Sequence, residues 1–224
     1  GKKASFWSAS PESIDSSYKL RLATRNQQTF VQRWAEDLEA LNQVRTIAFH
    51  LPQFHPTAEN DAWWGKGFTE WTNVAKAKPL YPGHHQPHVP ADLGFYDLRL
   101  AEARHAQAEL ARDYGVEGFC YYHYWFGKGR RMLERPVDEI LSSGEPGFPF
   151  CLCWANHSWN TTWQGTDEML VEQTYPGWDD HAAHFDWLLT AFRDPRYLRV
   201  EGKPIFCIYK PDDIPAVAEV AAFW

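Results

Sequence analysis

The sequence has little clustered positive charge and no long apolar segment. The formal net charge of its 224 residues is −7 at pH 7, with 22 lysines and arginines against 29 aspartates and glutamates. This balance argues against a nucleic-acid partner, because phosphate binding needs clustered basic side chains. The one dense basic cluster, residues 128–131, is typical of a solvated turn. No apolar run reaches the roughly 20 residues of a membrane span, and no secretory signal pattern opens the chain.

Cysteine is also scarce. All four cysteines, Cys120, Cys151, Cys153 and Cys207, fall inside predicted buried strands. Reduced core thiols are therefore expected, and Cys151 and Cys153 should share one face of a strand. This pattern favours a reducing compartment, so we expect a cytoplasmic location.

No stretch has the residues and spacing of a metal site. The one histidine-rich motif, His84-His85-x-x-His88, lies among prolines and a glycine, with no carboxylate or cysteine at ligand spacing. There is also no Gly-x-Gly-x-x-Gly motif after the first strand, as a dinucleotide-binding sheet would require. The sequence therefore predicts neither a metal nor a cofactor.

What the sequence has in excess is aromatic residues. They make up 16% of the chain and include 12 tryptophans, many of them in predicted loops and strand ends. There they can face a ligand, although any single one of them is also a good core residue.

The order of elements predicts an α/β fold. We expect residues 1–44 to form a lead-in followed by an amphipathic helix over residues 17–42, and residues 45–224 to form the main domain. Apolar runs at residues 46–51, 116–126, 148–156 and 204–210 predict strands, and helices are predicted over residues 98–114, 133–142, 179–193 and 214–224. Asp97 is a candidate cap of the first of these helices. Strand followed by helix four times predicts a parallel sheet covered by helices, either open or in a (β/α)8 barrel.

Polar and aromatic residues follow each predicted strand, which favours the barrel, because barrel enzymes place their sites at the carboxyl ends of the strands. Four strand–helix units are half of such a barrel, so we expect the protein to continue past Trp224. The segment over residues 52–97 is much longer than usual connections and rich in tryptophan, which predicts a folded loop at the mouth of a site.

Aromatic faces beside amides, imidazoles and carboxylates are what sugar recognition requires. We predict that the substrate-binding residues are Gln53, Trp64, Trp71, Asn73, His123, Trp125, Trp154, Asn156, His157 and Tyr209. The loop also contains Glu70, between Phe68 and Trp71, where partial burial would raise its pKa toward general-acid use. The alternative is that Glu70 is a hydrogen-bond acceptor that stabilises the loop, and a structural role is also open for His157.

Several motifs in order resemble the WbsX-type proteins of bacterial surface-polysaccharide clusters, which are similar to family 99 glycoside hydrolases, the endo-α-mannosidases. The resemblance covers about residues 45–212. The motifs are Pro52-Gln53-Phe54-His55-Pro56, Asn60-Asp61-x-Trp63-Trp64-Gly65-x-Gly67-Phe68-Thr69-Glu70-Trp71-Thr72-Asn73-Val74, Gln86-Pro87-His88, Tyr121-Tyr122-His123-Tyr124-Trp125-Phe126 and Cys153-Trp154-Ala155-Asn156.

The resemblance implies a (β/α)8 barrel that acts on glycans, with the catalytic carboxylate pair on strands beyond Trp224 and a route assisted by the sugar 2-hydroxyl. Many relatives read Trp-Ala-Asn-Glu-Asn-Trp, where this chain has His157 and Ser158 in place of Glu and Asn.

Three functions remain open from the sequence. The first is an enzyme that cleaves or remodels glycosidic bonds of a bacterial surface polysaccharide such as lipopolysaccharide, with an oligosaccharide or polysaccharide as its partner. The second is a glycosyltransferase of O-antigen or capsule biosynthesis, although the chain has no Asp-x-Asp motif for a metal-bound sugar nucleotide. The third is a glycan-binding module without catalysis.

Overall fold

A parallel β-sheet of four strands, with helices packed on one of its faces, is the central element of the described part of the chain. This computed structural model describes residues 44–162 and 165–224, so the helix predicted over residues 17–42 lies outside it. In chain order the elements are β1 Ile47–His50, α1 Ala58–Trp64, α2 Glu70–Lys76, α3 Ala101–Asp113, β2 Gly118–Trp125, β3 Arg131–Met132, α4 Arg135–Ser143, β4 Phe150–Trp154, β5 Trp159–Asn160, β6 Met169–Val171, α5 Trp178–Phe192, β7 Arg199–Val200, β8 Lys203–Pro204, β9 Phe206–Ile208, a 3-10 turn Pro211–Asp213 and α6 Val217–Phe223. Within these ranges, no helix has the length and apolar character needed to span a membrane.

The main sheet has the strand order β1-β2-β4-β9, and all of these neighbours are parallel. The four predicted strands are confirmed with shorter bounds, and the four predicted helices are confirmed with ends within three residues of the predicted ones. Their sequences are apolar on both faces, as is typical of the strands of parallel sheets. The α/β class is therefore established.

The two faces of this sheet have different neighbours. Side chains that alternate along a strand point to opposite faces, and residues paired in parallel register point to the same face. Phe119, Tyr121 and Leu152 face α3, α4 and α5 and form the main core with residues such as Leu188. The opposite face carries Phe49, which is 63% exposed and stacks on Tyr122 at 5.4 Å between ring centroids.

The cysteines lie on this second face. Cys120 is beside Cys151 and Cys153 is beside Cys207 in the strand register, so the expected shared face of Cys151 and Cys153 is confirmed. Each of them is a free thiol, and the first three are buried.

The long segment after β1 is more regular than its sequence suggests, because it contains α1 and α2, of seven residues each. The side chain of Thr57 caps α1, and Thr69 and Thr72 form a capping box at the start of α2. The turn between the two helices uses Gly65 and Gly67, whose φ angles of 99° and 80° suit glycine. These two helices are too short for a clear periodic signal.

The predicted cap of the next helix is wrong. Helix α3 begins at Ala101, and Leu100 at the N-cap position makes no side-chain hydrogen bond to the helix. Asp97 instead accepts hydrogen bonds from the backbone N–H and the guanidinium of Arg99. Burial is the largest single effect on the pKa of Asp97, and it acts to raise that pKa. The hydrogen bonds and the positive charge of Arg99 act together in the opposite direction and outweigh burial, so the pKa of Asp97 is lowered.

Candidate functional site

A cleft of about 400 Å³ lies between the α1–α2 segment and the β5–β6 hairpin. This volume is within the range of small-molecule sites, near its lower end. One wall comes from the segment after β1 and consists of Gln53, Asn60, Trp64, Phe68, Glu70 and Asn73. This wall therefore combines two aromatic rings with three amides and one carboxylate.

The opposite wall comes from the chain after β4. It consists of His157, Ser158, Trp159, Asn160 and Leu170. The antiparallel β5–β6 pair holds Trp159 beside Val171. The indole of Trp159 meets the rings of Tyr124 at 5.1 Å and Trp63 at 6.1 Å between centroids, so the hairpin is anchored to β2 and α1. The contact between Trp159 and Trp63 thus joins the two walls of the cleft.

Glu70 is the first residue of α2 and is half-buried in the cleft wall. Its backbone N–H donates to the carbonyl oxygen of Gln53 at 3.2 Å, which ties the start of α2 to the end of the β1 segment. Burial raises the pKa of the Glu70 carboxyl, and a side-chain hydrogen bond with Asn73 partly opposes this. Because its pKa is raised, this carboxyl keeps its proton up to a higher pH than an exposed glutamate does.

Asn60 is the most deeply buried polar group of the cleft. Its side chain is 0% exposed, and neither Nδ2 nor Oδ1 has a hydrogen-bond partner among the described residues. Buried carboxamides are almost always hydrogen-bonded, so this one is unusual. It was not among the predicted site residues, because an asparagine in the first turn of a short helix gives no sequence signal of burial.

His157 lines both this cleft and a smaller neighbouring cavity of about 220 Å³. Tyr209 lines the smaller cavity, with its ring centroid 5.4 Å from that of His157. Burial lowers the pKa of His157, and the positive charge of Lys210 lowers it further. The imidazole is therefore neutral at pH 7, and its Nδ1 has no hydrogen-bond partner within the described residues.

The structure brings part of the predicted set together. Gln53, Trp64, Glu70, Asn73 and His157 line the cleft, and Tyr209 lies in the cavity beside it. The remaining predicted residues line neither cavity; they are Trp71, His123, Trp125, Trp154 and Asn156.

His123, Trp125 and Trp154 are buried on the face of the sheet that packs against α5, with exposures of 4%, 5% and 1%. The Nε2 atoms of His123 and His184 are 2.9 Å apart, and the Trp125 indole N–H donates to Asp180. These side chains therefore belong to the layer between sheet and helix, and their expected place in the substrate site is wrong in this structure.

Asn156 is 0% exposed, and its hydrogen bonds are internal. Its Nδ2 donates to Tyr175 Oη at 2.9 Å and to the carbonyl oxygen of Lys210, and its Oδ1 accepts the N–H of Lys210 at 2.8 Å. This amide fastens the end of β4 to the end of β9, so the expected sugar contact is replaced by a structural role.

The side chain of Trp71, the second residue of α2, is not part of the cleft lining. Its indole N–H donates to the carbonyl oxygen of Tyr96 at 2.8 Å, and its ring packs on Phe54 at 4.6 Å and on Phe95 at 5.4 Å between centroids. The expected ligand contact of Trp71 is thus also wrong, because this ring attaches α2 to the segment before α3.

The described residues contain no group of three or more His, Cys, Asp or Glu side chains arranged to hold a metal ion. In the histidine-rich motif, His84 stacks on Tyr81 at 4.6 Å, and His85 meets His88 at 4.8 Å between centroids. These rings pack against each other on the surface of the long segment.

The chain belongs to the family whose model is described as glycosyltransferase WbsX, which matches residues 46–224. Two uncharacterised WxcX proteins, from two strains of Xanthomonas campestris pv. campestris, are each 46% identical over 179 residues. That alignment covers 80% of this chain and 26% of each relative, so the chain spans about a quarter of their length. The resemblance seen in the sequence motifs is confirmed.

Two solved structures of GH99 endo-α-mannosidase from Bacteroides thetaiotaomicron are similar to this chain in part. The complex with bis-tris-propane has a TM-score of 0.44 and 15% identity, covering 74% of this chain and 41% of that one. The second has a TM-score of 0.43 and 16% identity, covering 74% and 45%. At this level of similarity, no residue role is transferred from those structures to this chain.

Proposed function

We propose that the cleft binds a glycan and that this chain is part of an enzyme that cleaves or remodels glycosidic bonds of a bacterial surface polysaccharide. The observation that carries the proposal is the lining of the cleft. Trp64 and Trp159 offer faces for the C–H patches of a sugar ring, and the amides of Gln53 and Asn73 stand beside them for its hydroxyls. Membership of a family described as glycosyltransferase WbsX also supports a sugar ligand.

Glu70 is the proposed general acid. A half-buried carboxyl with a raised pKa keeps its proton until it meets the glycosidic oxygen, and can deliver it as the bond to the leaving sugar breaks. Glycosidases usually use two carboxyl groups about 5 to 10 Å apart. Among the described residues that line the cleft, Glu70 is the single carboxylate, so the second group must come from another part of the enzyme.

We also propose that the four parallel strands are the first half of a (β/α)8 barrel. The face that carries Phe49 and Tyr122 would then be the barrel interior. In such a fold the second carboxylate would stand on a later strand, at the same carboxyl-end rim as the cleft. This arrangement explains how a partial sheet can hold one half of a catalytic site.

A glycosyltransferase is the second candidate, because the matching family model is described in those words. The experiment that separates the two uses the natural protein on the surface polysaccharide of its own source organism. New reducing ends, lost in Glu70→Gln, support hydrolysis. Consumption of a sugar nucleotide that depends on an acceptor glycan supports transfer. Saturable binding with no turnover in either assay supports a binding role and contradicts the proposed enzyme.

A further inference from the structure

A second cavity, of about 220 Å³, lies beside the cleft. His157 lines both of them, so the two spaces meet at its side chain. The rest of the lining consists of three tyrosines and two apolar residues, which are Tyr122, Tyr124, Tyr209, Leu51 and Ala155. We name this space the tyrosine cavity. Its volume is below the range of sites for drug-sized ligands, so it suits one sugar ring rather than an oligosaccharide.

The tyrosine cavity lies at the carboxyl end of the main sheet. Leu51, Ala155 and Tyr209 come directly after β1, β4 and β9. Tyr122 and Tyr124 are two residues apart near the end of β2, so they point to the same face of the sheet. Parallel α/β folds bind their ligands outside the carboxyl ends of the strands. The cavity therefore has the position of a ligand site.

A ligand can reach the side chains of this cavity. Tyr209 is 55% exposed, and Tyr122 and His157 are half-buried. The ring centroid of Tyr209 is 5.4 Å from that of His157, so this tyrosine stands next to the side chain that the two spaces share. A tyrosine offers an aromatic face to the C–H groups of a sugar and a hydroxyl that donates and accepts. None of the described lining residues is a lysine, arginine, aspartate or glutamate, so the cavity suits a neutral ring.

Glu70 lies near the junction of the two spaces. It lines the cleft, and its charge also acts on Tyr124 in the tyrosine cavity. Burial is the main cause of the raised pKa of Tyr124, and Tyr122, Cys153 and Glu70 add to it. The carboxyl proposed as the general acid is thus close to the place where a ring in the cleft would be joined to a ring in the cavity.

We propose that the tyrosine cavity is a second sugar subsite, which holds one uncharged ring joined to the ring in the cleft, and that this second ring stacks on Tyr209. This inference rests on the proposed glycan-binding function. Trp64 and Trp159 hold the first ring, and the bond between the two rings passes His157 and lies beside Glu70. A ligand must therefore be at least a disaccharide to use both subsites.

The test measures how affinity depends on the length of the glycan. Linear neutral glycans of glucose, galactose, mannose or N-acetylglucosamine, from the monosaccharide to the tetrasaccharide, are titrated into the 224-residue chain by calorimetry. In a series that binds, we expect one added ring to strengthen binding about tenfold, the value of one stacking contact. In Tyr209→Ala this gain should disappear, whereas the affinity for the ligand one ring shorter should stay unchanged.

Two further variants separate a second subsite from a general effect on binding. Tyr81→Ala removes a comparably exposed tyrosine, at 62%, which lines neither space and should leave the whole series unchanged. Trp64→Ala removes a ring of the cleft and should weaken the short and the long ligands alike. Should Tyr209→Ala fail to fold, Tyr209→Leu keeps an apolar side chain without an aromatic face and should show the same loss of gain.

The outcomes distinguish this inference from the proposed function. If no glycan of any series binds the wild-type chain, the glycan-binding proposal fails and this inference fails with it. If glycans bind but the wild-type affinity does not rise with length, only the second subsite is overturned. The same holds if the Tyr209 variant keeps the full gain from the added ring or loses affinity equally at every length.

Discussion

Glu70 combines a chemical role with a cost to stability. Its pKa is raised by burial, so the folded state binds the proton of this group more tightly than the unfolded state. The contribution of Glu70 to stability is therefore highest at low pH and falls as pH rises through the raised pKa. A glutamine at this position has no carboxyl to ionise, so it does not lose stability as the pH rises.

We predict that Glu70→Gln lowers the rate of glycosidic cleavage by about 100- to 10,000-fold, the usual range for loss of a general acid. The same variant should be at least as resistant to urea as the wild type at pH 7, and the two should converge near pH 4. Enzymatic assay and urea denaturation at both pH values check this. A variant that is less stable at pH 7 would indicate that the carboxylate is a structural acceptor, the alternative left open by the sequence.

The buried imidazoles of His123 and His184 predict a pH-dependent stability. Burial lowers the pKa of His184 to about 3 and that of His123 well below its ordinary value of 6.5. Below that ordinary value the unfolded chain takes up protons that the folded chain does not, so stability is present above about pH 6.5 and is lost as pH falls. The loss is about 1.4 kcal/mol per pH unit for each such histidine.

His184→Gln should reduce the slope of stability against pH by about one proton, or ~1.4 kcal/mol per pH unit, between pH 6.5 and 5. Denaturant unfolding over this pH range measures the slope. His85→Gln, at an exposed position of the long segment, is the matched control for the loss of an imidazole. Equal slopes for all three proteins would show that His184 takes up its proton in the folded state as readily as in the unfolded state.

At the scale of elements, the α1–α2 segment and the hairpin β5–β6 form the two sides of the cleft. Each of the two helices carries a tryptophan, and the two tryptophans have different roles. Trp71 attaches α2 to the segment before α3 through Phe54, Phe95 and the carbonyl of Tyr96. Trp64, by contrast, lines the cleft near Phe68, with ring centroids 6.0 Å apart.

Trp71→Ala should therefore destabilise the protein by about 3 kcal/mol, the lower end for loss of a large packed aromatic. Trp64→Ala should destabilise it less and should weaken glycan binding about tenfold, the value of one stacking contact. Chemical denaturation and calorimetric binding on the folded fraction separate the two effects. The assignment is contradicted if Trp71→Ala keeps full stability and loses binding.

At the scale of the whole molecule, the four parallel strands differ in how many parallel neighbours they have. Strands β2 and β4 are flanked on both sides, whereas β1 and β9 each have one neighbour among the described residues. Backbone amides at an open edge exchange more readily than those inside a sheet.

We predict that the amides of β2 and β4 are the slowest to exchange with deuterium in the 224-residue chain, and that those of β1 and β9 exchange markedly faster. Exchange followed by mass spectrometry resolves these strands. Equal protection of β1 and β4 would show that another strand, from a second copy or from residues outside the described ranges, covers the edge.

The sequence predicts the elements of this molecule better than it predicts the direction of their side chains. The strands were recognisable because each is a continuous apolar run between turn signals. That same continuity hides the orientation, since a strand apolar on both faces does not show which face meets the helices. His123, Trp125 and Trp154 were placed at the site for this reason, and they lie on the helix side of the sheet.

The cleft could be predicted in part because its chemistry is concentrated in one segment. Gln53, Trp64, Glu70 and Asn73 were found from their residue types within a long loop rich in tryptophan. Asn60 was missed because burial without a hydrogen-bond partner is a property of the folded chain alone. The short helices α1 and α2 were missed because seven residues hold too little periodicity.

The most direct test of the central claim follows the indole N–H signals in a ¹⁵N–¹H spectrum during titration with a neutral tetrasaccharide that binds. We predict shifts for Trp64 and Trp159, which line the cleft, and none for Trp125 or Trp154, whose indole N–H groups donate to Asp180 and to the carbonyl of Trp125. Single-residue Trp→Phe variants assign the signals. Shifts confined to Trp125 and Trp154, with Trp64 and Trp159 unmoved, would contradict the location of the glycan site proposed here.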